Sequence, residues 1–160
     1  MLISALYKVD AMRSVVQRVD RANVSVGGEQ ISRIEKGVLV FLGIGKGDRS
    51  GDADYLAEKI TNLRIFDDQQ GKMNLSLVDV GGAMLVISQF TLLGDCRKGR
   101  RPSFTEAENP EAAKVLYDYF ISLIREKVCY VAEGKFQAMM SIESVNDGPI
   151  TILLDSKKAF

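Results

Sequence analysis

Two continuous apolar runs constrain the fold of this chain more than any other feature of its sequence. VLVFLGI spans residues 38–44, and AMLVISQF spans residues 83–90. Neither run alternates apolar with polar residues over its first five positions, which is typical of strands buried on both faces. The sequence therefore predicts two strands in the interior of a sheet.

Segments with alternating and turn-forming residues predict the other strands. Residues 13–26 interleave Val with polar residues, which indicates one or two strands. The pair Gly27-Gly28 is typical of a hairpin turn. Further strands are expected at about residues 29–34, 137–145 and 150–154, with a turn at residues 146–149.

Two segments predict helices. The first is expected at about 52–64, with Ser50 or Asp52 as its cap. The second is expected to begin at Asn109-Pro110 and to end near residue 127, because Pro is favoured in the first turn. The order strands, helix, strand, helix, strands predicts a single mixed α/β domain.

Composition excludes several classes of function. The chain has no histidine, so Ser-His-Asp and Cys-His catalysis and most zinc sites are excluded. Its net charge is zero, so any contact with nucleic acid needs a local patch rather than bulk positive charge. Two cysteines, Cys96 and Cys129, are too few for a disulfide framework and favour a reducing compartment. No run approaches the roughly 20 apolar residues of a membrane helix.

The first eleven residues are interpreted as a short extension ahead of a domain that spans residues 12–160. They contain a brief apolar stretch without a basic segment before it and without a clear small-residue cleavage site, unlike a secretory signal. Met12 is therefore a candidate for the functional start of the chain.

Two short strings are candidates for a functional site. Ser88-Gln89-Phe90-Thr91 ends the second apolar run, where functional groups are favoured, but Ser and Thr also satisfy backbone groups at strand ends. Asn146-Asp147-Gly148-Pro149-Ile150-Thr151 is either an ordinary turn or a rigid backbone ridge that excludes substituents of one hand. The residues alone leave both alternatives open.

Two further segments have residues typical of phosphate sites. Arg97, Lys98, Arg100 and Arg101, with Phe104 nearby, form the one dense basic cluster of the sequence, and a phosphate site and a solvated loop are both compatible with it. The loop at residues 43–48 is glycine-rich but lacks the spacing of either common nucleotide motif, so it is rejected as a nucleotide site.

Taken together, these strings resemble the D-aminoacyl-tRNA deacylase family. The likeness begins at Met12 and covers about residues 12–154. Its strings are MRSVVQRVDRANVSV, GVLVFLGI, LRIFDDQQGKMNLSL, VISQFTL, RKGRRPSF, VLYDYF and VNDGPIT. The SQFT and NDGPIT strings in this order are highly specific, whereas either alone is weak.

The resemblance implies a fold and an activity. The family is a homodimer of a mixed α/β fold with curved, largely antiparallel sheets and two main helices. It hydrolyses the ester of D-aminoacyl-tRNA, acts on glycyl-tRNA mischarged on tRNA-Ala, and needs no metal or other cofactor. A cytoplasmic enzyme is therefore expected, with no membrane contact.

The resemblance also implies site residues. The pocket strip is Ser88, Gln89, Phe90 and Thr91, and a cis Gly148-Pro149 pair reaches into the partner's site and rejects L-amino acids. Supporting residues are expected at Arg18, which helps hold the Gly-Pro loop, and at Met140, Asn146 and Thr151. Arg97, Lys98, Arg100 and Arg101 are the candidates for tRNA contact.

The catalytic step has two interpretations. Either Thr91 is a nucleophile, or the pocket backbone stabilises the oxyanion while a ribose hydroxyl of the tRNA assists attack. The absence of histidine favours the second, because nothing obvious would activate the hydroxyl.

Two rival functions are compatible with parts of the sequence. One is a non-enzymatic nucleic-acid-binding protein on the same scaffold, and the other is a deacylase tuned to a different mischarged tRNA. The intact signatures argue against the first, and SQFT at residues 88–91 favours the D-specific branch.

Overall fold

The computed structural model describes residues 11–160 and is organised around one long strand. β1 (Arg13–Val26) alternates Val with polar residues, and it is a single strand where the sequence predicted one or two. One edge of β1 pairs antiparallel with β3 (Gly37–Gly43) through its first half and with β2 (Glu29–Ile34) through its second half. The other edge pairs along nearly its whole length with β8 (Ser141–Asp155).

The two apolar runs form the centre of the sheet, as predicted. β3 pairs parallel with β6 (Ala83–Ser88), and β6 pairs parallel with β7 (Tyr130–Glu133), so the order is β2-β1-β3-β6-β7 with β8 on β1. The sequence did not predict β7, because a strand of four residues is too short to show a pattern. The interior side chains of both runs are at most 1% exposed: Val38, Leu39, Val40, Leu42, Met84, Leu85, Val86 and Ile87.

Two helices occupy the connections between the parallel strands. α1 (Ser50–Asn62) follows β3, and α3 (Pro110–Lys127) joins β6 to β7. They pack on one face of the sheet and form the larger core, which includes Leu56, Ile60, Phe120, Ile121 and Ile124. Three short elements lie between α1 and β6: the hairpin strands β4 (Phe66–Asp67) and β5 (Met73–Leu75), and the one-turn helix α2 (Leu77–Val80).

The predicted cap of α3 is confirmed, and the predicted caps of α1 are wrong. Asn109 caps α3 as predicted, with its side-chain oxygen accepting the amide of Ala112 at 2.9 Å. Neither Ser50 nor Asp52 is the cap of α1, which is Arg49. Asp52 instead lies in the first turn, where its carboxylate accepts the Arg49 amide at 2.8 Å. The helix therefore begins two residues earlier than the apolar pattern indicated.

The two ends of the sheet meet, which shows that the sheet is curved. Ser32 on β2 donates its hydroxyl hydrogen to the carbonyl of Glu133 on β7 at 2.7 Å, although these strands are at opposite ends of the strand order. The curve encloses a second core on the face away from the helices. Its members are Val19, Ala22, Val24, Ile34, Leu39, Leu85, Ile87 and Ala132. The predicted mixed α/β class with largely antiparallel pairing is confirmed.

The carboxyl-terminal strand differs from the prediction. The sequence indicated two strands separated by a turn at residues 146–149, but residues 141–155 form one strand and residues 137–140 are not part of it. β8 accommodates the turn-forming residues as a bulge. Gln17 pairs with Thr151 and Val19 with Asn146, so the single residue between them on β1 faces residues 147–150. Pairing with the long β1 on both sides of the bulge keeps the strand continuous.

The structure describes the amino-terminal extension only from residue 11. Residues 1–10 of the expected extension are not among the described residues, whereas Ala11 and Met12 are buried at the edge of the larger core. Within residues 11–160, none of the helices has both the length and the apolar character needed to span a bilayer.

Candidate active site

The pocket strip (Ser88–Thr91) lies where β6 leaves the sheet. Ser88 is the last residue of β6, and Phe90 and Thr91 lie on a 3₁₀ turn (Phe90–Leu93) that follows it. Gln89 joins the two and donates its amide hydrogen to the carbonyl of Leu42 at 2.8 Å. The strip is thus tied to the end of a fully buried strand, as its place after an apolar run suggested.

Two residues of neighbouring strands fix the 3₁₀ turn. The guanidinium of Arg13 on β1 donates to the carbonyl of Leu92 at 2.9 Å. Gly43, the last residue of β3, lies so close that a Cβ there would be 2.8 Å from the carbonyl oxygen of Gln89 and 2.7 Å from the Leu93 side chain. Only glycine fits at this position, because the carbonyl oxygen of Gln89 belongs to the backbone and cannot move aside as the end of a side chain could.

The strip forms one wall of a cavity of about 730 Å³. Three other segments complete it: Phe41 and Ile44 from the end of β3, residues 104–113 before and within α3, and residues 136–142 before and within β8. Met140, expected from the sequence to line a pocket, lies in this last wall, where its sulfur accepts the amide hydrogen of Lys135 at 3.3 Å. A cavity of this size accommodates a ligand of a few hundred daltons.

The lining is mainly apolar and aromatic. Phe90 and Phe104 meet edge to face at the cavity, with ring centroids 5.2 Å apart, although both remain well exposed. Phe136, which is partly buried, also lines the cavity, and its ring centroid lies 5.7 Å from that of Tyr117. Such exposed rings favour a flat, stacked ligand.

The polar groups of the cavity are few. Glu108 is its one charged lining residue among residues 11–160, and one oxygen of its carboxylate accepts the Asn109 amide hydrogen at 2.8 Å. Within the same residues, neither the Ser88 hydroxyl nor the Thr91 hydroxyl has a hydrogen bond to a carboxylate or a lysine. Both hydroxyls therefore lack a partner that would remove their protons, as nucleophilic catalysis requires.

Several lining residues were not predicted. Phe41, Glu108, Phe136 and Gln137 reach the cavity from distant parts of the chain, whereas Met140 was expected and Phe104 was expected only as a neighbour of the basic cluster. Gln137 adopts a positive φ of 61°, which is uncommon for a residue with a side chain. These lining residues belong to segments that are far apart in the sequence and come together only in the folded chain, so no local sequence pattern identifies them as cavity residues.

The bulge of β8, here called the Gly-Pro bulge (Asp147–Ile150), is held by one buried arginine. Arg18 on β1 faces it, and its Nε lies 3.3 Å from the carbonyl oxygen and 3.1 Å from the carboxylate of Asp147. Its Nη1 donates to the carbonyl of Ile65 at 2.8 Å and lies 3.5 Å from the Asp67 carboxylate. The residue is only 8% exposed, so the bulge rests on a desolvated cation.

The residues beside the bulge close its base. The Asn146 side chain accepts the Ile150 amide at 3.0 Å and donates to the Thr151 hydroxyl at 3.0 Å. Gln17 on β1 also donates to that hydroxyl, at 3.2 Å. The Gly148–Pro149 peptide bond is cis, and Gly148 has a φ of 129°, which is accessible to glycine and rarely to other residues.

The structure does not bring the bulge and the strip together within one chain. Gly148 and Pro149 are exposed and do not line the cavity that contains Ser88–Thr91. The two motifs that the sequence singled out are therefore separate features of a single chain.

The basic cluster forms the tip of a loop, here called the basic loop (Asp95–Ser103). Asp95 and Ser103 pair through two backbone hydrogen bonds of 2.7 and 2.9 Å. Both ends of the loop continue into the cavity wall, through the 3₁₀ turn on one side and through Phe104 on the other. The basic side chains are thus carried at the rim of the cavity.

The four basic side chains of the loop differ in their surroundings. Arg97 forms two hydrogen bonds with Asp95, of 2.7 and 2.9 Å, which hold the pKa of that carboxyl far below its usual range. Lys98, Arg100 and Arg101 are exposed and form no ion pair within residues 11–160. Arg97 therefore stabilises the loop, while the other three present free positive charge.

The described residues offer little for a metal ion. No group of three or more His, Cys, Asp or Glu side chains within residues 11–160 lies together as metal ligands would.

Comparison with known proteins identifies a family. A model of the family described as D-Tyr-tRNA(Tyr) deacylase matches residues 15–155. The D-aminoacyl-tRNA deacylase of Syntrophus aciditrophicus (strain SB) is 62% identical over 149 residues, covering 93% of this chain and all of that protein. The enzyme of the same name from Fervidobacterium nodosum is 61% identical over the same length.

Two solved structures are similar. One, described as c-Myc DNA Unwinding Element Binding Protein, is 42% identical, has a TM-score of 0.85 and covers 89% of this chain and 97% of its own. The other, described as a probable eukaryotic D-amino acid tRNA deacylase, has a TM-score of 0.79 over 91% of this chain and 99% of its own. At 18% identity, this second likeness concerns the fold alone.

Proposed function

Because this chain belongs to the D-Tyr-tRNA(Tyr) deacylase family and is a hydrolase of the D-aminoacyl-tRNA ester bond, we propose that its active site is the cavity walled by Ser88–Thr91. The observation that carries this assignment is the position of the strip. It ends a buried strand, is held by main-chain contacts, and opens on a cavity large enough for an aminoacyl nucleoside.

The terminal adenosine of the tRNA fits the aromatic part of the cavity. A base stacks on aromatic rings with a gain of roughly 1–3 kcal/mol. Phe90 and Phe104 present exposed rings at the cavity, and the partly buried ring of Phe136 also lines it. The aminoacyl ester of the same nucleotide then reaches the strip.

The backbone, rather than a side chain, is the catalytic group in this proposal. The amides of Phe90 and Thr91 begin the 3₁₀ turn, so the turn itself does not use them. They can donate to the oxyanion that forms when water attacks the ester carbonyl. The ester C–O bond then breaks, and the released ribose oxygen takes the proton of the water, with the neighbouring ribose hydroxyl assisting the transfer.

The Gly-Pro bulge is proposed to act on the cavity of a second copy. The exposure of Gly148 and Pro149, and their absence from the lining of their own chain's cavity, support a homodimer in which each bulge enters the partner's site. A partly exposed apolar surface next to the cavity supports the same arrangement. Val15 lies directly between Phe41 and Leu153 across three strands, and Phe41 is also part of the cavity wall.

Chiral selection follows from this placement. A backbone ridge beside the α-carbon leaves room for hydrogen on one side only, so an L-residue meets the ridge with its side chain. Such rejection needs no contact with the side chain of a D-residue. Glycine has no side chain, so glycyl-tRNA, including glycine mischarged on tRNA-Ala, is expected to be cleaved as well.

The basic loop is proposed to contact tRNA phosphates outside the cavity. Lys98, Arg100 and Arg101 are exposed at the rim, where the nucleotides preceding the terminal one must pass. Arg97 is proposed to contribute less to this role than the other three, because it is paired with Asp95. A substrate charged on tRNA also makes the cytoplasm the proposed place of action.

A second candidate function is nucleic-acid binding without catalysis. It is favoured by the basic loop and by the 42% identical structure, which is described as a protein that binds a DNA unwinding element. In this alternative the chain binds the nucleic acid but releases no amino acid.

The test is release of amino acid from matched substrates. The protein is incubated with D-tyrosyl-tRNA and L-tyrosyl-tRNA, and free tyrosine is followed over time. Release from the D-form alone supports the proposal, equal release from both contradicts the chiral part, and binding without release supports the second candidate.

Mixed dimers test the contribution of the partner. Subunits with Gly43→Val, which blocks the strip, are mixed with subunits carrying Pro149→Ala, which alters the bulge. If each bulge serves the other subunit, mixed dimers contain one site with an intact strip and an intact bulge, and the ratio of D to L release rises on mixing. An unchanged ratio means that the bulge does not act across the dimer.

A further inference from the structure

The main-chain nitrogen of Met12 is held at a defined point beside the larger core. The residue is fully buried, and its amide donates to the Ser156 hydroxyl at 3.2 Å. The amide of Ser156 in turn donates to the Met12 carbonyl at 2.9 Å. These two bonds join the start of β1 to the segment after β8.

The Asp48 carboxylate lies beside this nitrogen, because the residue that donates to it, Gly45, packs against Ala11: a Cβ on Gly45 would be 3.2 Å from the Ala11 carbonyl oxygen. One oxygen of Asp48 accepts the Gly45 amide at 2.6 Å, whereas the other is buried and has no hydrogen-bond partner among the described residues. Burial raises the pKa of Asp48 to about 6, and the Met12 amide is among the groups that lower it. A buried carboxylate oxygen without a donor is unfavourable, so the site lacks a group that it could hold.

The charges around Asp48 do not balance. Asp52, which is 8% exposed, faces it and raises its pKa, while Lys157 lowers it. Lys157 is already bonded to Asp52 at 2.9 Å. Two carboxylates therefore share one cation, and the missing group is a second positive charge.

If Met12 were the first residue of the chain, its nitrogen would be an α-ammonium group and would supply this positive charge. A free α-amino group is protonated near neutral pH and has three hydrogens to donate. One of these hydrogens can donate to the Ser156 hydroxyl, as the amide hydrogen does. A second can donate to the unpartnered oxygen of Asp48. The nitrogen needs no displacement, because the contacts of β1 already hold it there.

The lengths of two relatives are compatible with a start at Met12. The relatives from two organisms match 149 of the 160 residues, and the match covers the whole of each relative. Every described strand and helix begins after Met12. We propose that the working protein begins at Met12 and that its α-ammonium group is the cation partner of Asp48. This inference does not depend on the reaction that the cavity catalyses.

The first test is the intact mass of the protein made from its own gene with its natural upstream region. The expected mass is that of a chain whose first residue is Met12. A mass that includes residues before Met12 in the folded protein overturns the proposal.

The second test compares three chains by thermal unfolding at pH 7: the full chain, a chain that begins at Met12, and a chain that begins at Ala11. The last is the matched control, because its ammonium group is displaced by one residue. The chain that begins at Met12 is expected to melt about 2–4 °C above both others. In an Asp48→Asn background the difference should vanish. Equal melting temperatures, or a difference that survives Asp48→Asn, contradict the ion pair.

The pH dependence gives a separate signature. In the full chain the folded pKa of Asp48 is raised above its unfolded value of 3.8, so its contribution to stability falls as pH rises from about 4 to 6. With an ammonium partner the folded pKa is lowered instead, and the contribution of Asp48 rises over the acidic range. Subtracting the Asp48→Asn curve isolates this contribution, and slopes of the same sign in the full chain and the chain that begins at Met12 contradict the proposal.

Discussion

The pocket strip and the Gly-Pro bulge both lie where a strand of the same sheet departs from regular pairing, but different bonds hold them. The strip is held largely by main-chain hydrogen bonds and by the close approach of Gly43, with Arg13 as an outer support. The bulge depends on two side chains: the buried Arg18, which contacts Asp147, and Asn146, which accepts the Ile150 amide. A site fixed by backbone tolerates changes of its own side chains, whereas a site fixed by side chains does not. The following predictions test this difference.

The largest effect is expected from Arg18→Met. Loss of the guanidinium leaves the carbonyls of Ile65 and Asp147 without their donor and costs about 2–4 kcal/mol of unfolding free energy. The bulge then shifts, and release from D-tyrosyl-tRNA falls roughly 100-fold. Urea unfolding and single-turnover release measure the two effects.

Arg21→Met is the matched control for Arg18. Arg21 is an exposed arginine on the same strand, so its replacement should change neither stability nor release by a measurable amount. Equal effects of the two variants would show that the loss reflects charge in general and not the hold on the bulge.

A smaller effect is expected from Gly43→Ala, which tests the backbone hold on the strip. The new Cβ would lie 2.8 Å from the Gln89 carbonyl oxygen, so the strip must move, at a cost of about 1–3 kcal/mol. Release should fall roughly tenfold, because donors to an oxyanion act only at short range.

Gly51→Ala is the control for this substitution. Gly51 lies in α1 with nothing within 4 Å of its added Cβ, so alanine should raise stability by about 0.5–1 kcal/mol and leave release unchanged. If Gly43→Ala retained full activity, the strip would not depend on the approach of β3.

Changes in the basic loop should affect binding and not selection. Replacing Lys98, Arg100 or Arg101 by Gln should each weaken tRNA binding about fivefold at physiological salt and lower the slope of binding against salt by roughly one unit. The ratio of D to L release should stay constant. Fluorescence anisotropy over a salt series measures the affinity.

Arg97→Gln separates loop structure from phosphate contact. Arg97 is paired with Asp95, so its loss should leave the salt slope unchanged while the loop becomes less ordered. A slope that falls equally for Arg97 and Arg100 would mean that the ion pair opens when tRNA binds.

The smallest effect is expected from Thr91→Ala. If the backbone is the catalytic group, loss of this hydroxyl should lower single-turnover release less than about threefold. Ser88→Ala should behave alike. A complete loss of release, with folding and tRNA binding intact, would instead identify Thr91 as the nucleophile.

Several elements could be predicted because their signals are local. The apolar runs at residues 38–44 and 83–90 became the central strands, and Asn109-Pro110 began α3. In each of these segments the apolar pattern and the residues at its ends lie within a few positions of one another in the sequence. The start of α1 was misplaced because Arg49, an uncommon cap, precedes residues that are themselves good caps.

The site was only partly predictable for the opposite reason. The strip could be recognised from one string, but its cavity also needs residues 104–113 and 136–142, which no local pattern connects with it. The turn expected at residues 146–149 was wrong because the chain pairs with β1 on both sides of this segment, at Asn146 and Thr151, so residues 147–150 form a bulge within one strand.

By itself the sequence determined the interior strands, the two main helices, the exclusion of histidine chemistry and the motifs of the family, because each depends on residue type and short spacing. Only the tertiary structure decided that Arg18 holds the Gly-Pro bulge, that Arg97 is paired within its loop, and that Asp48 faces the Met12 nitrogen with one oxygen unfilled. The physical reason is that a side chain's role depends on the groups that surround it after folding, and here those groups come from segments far apart in the chain.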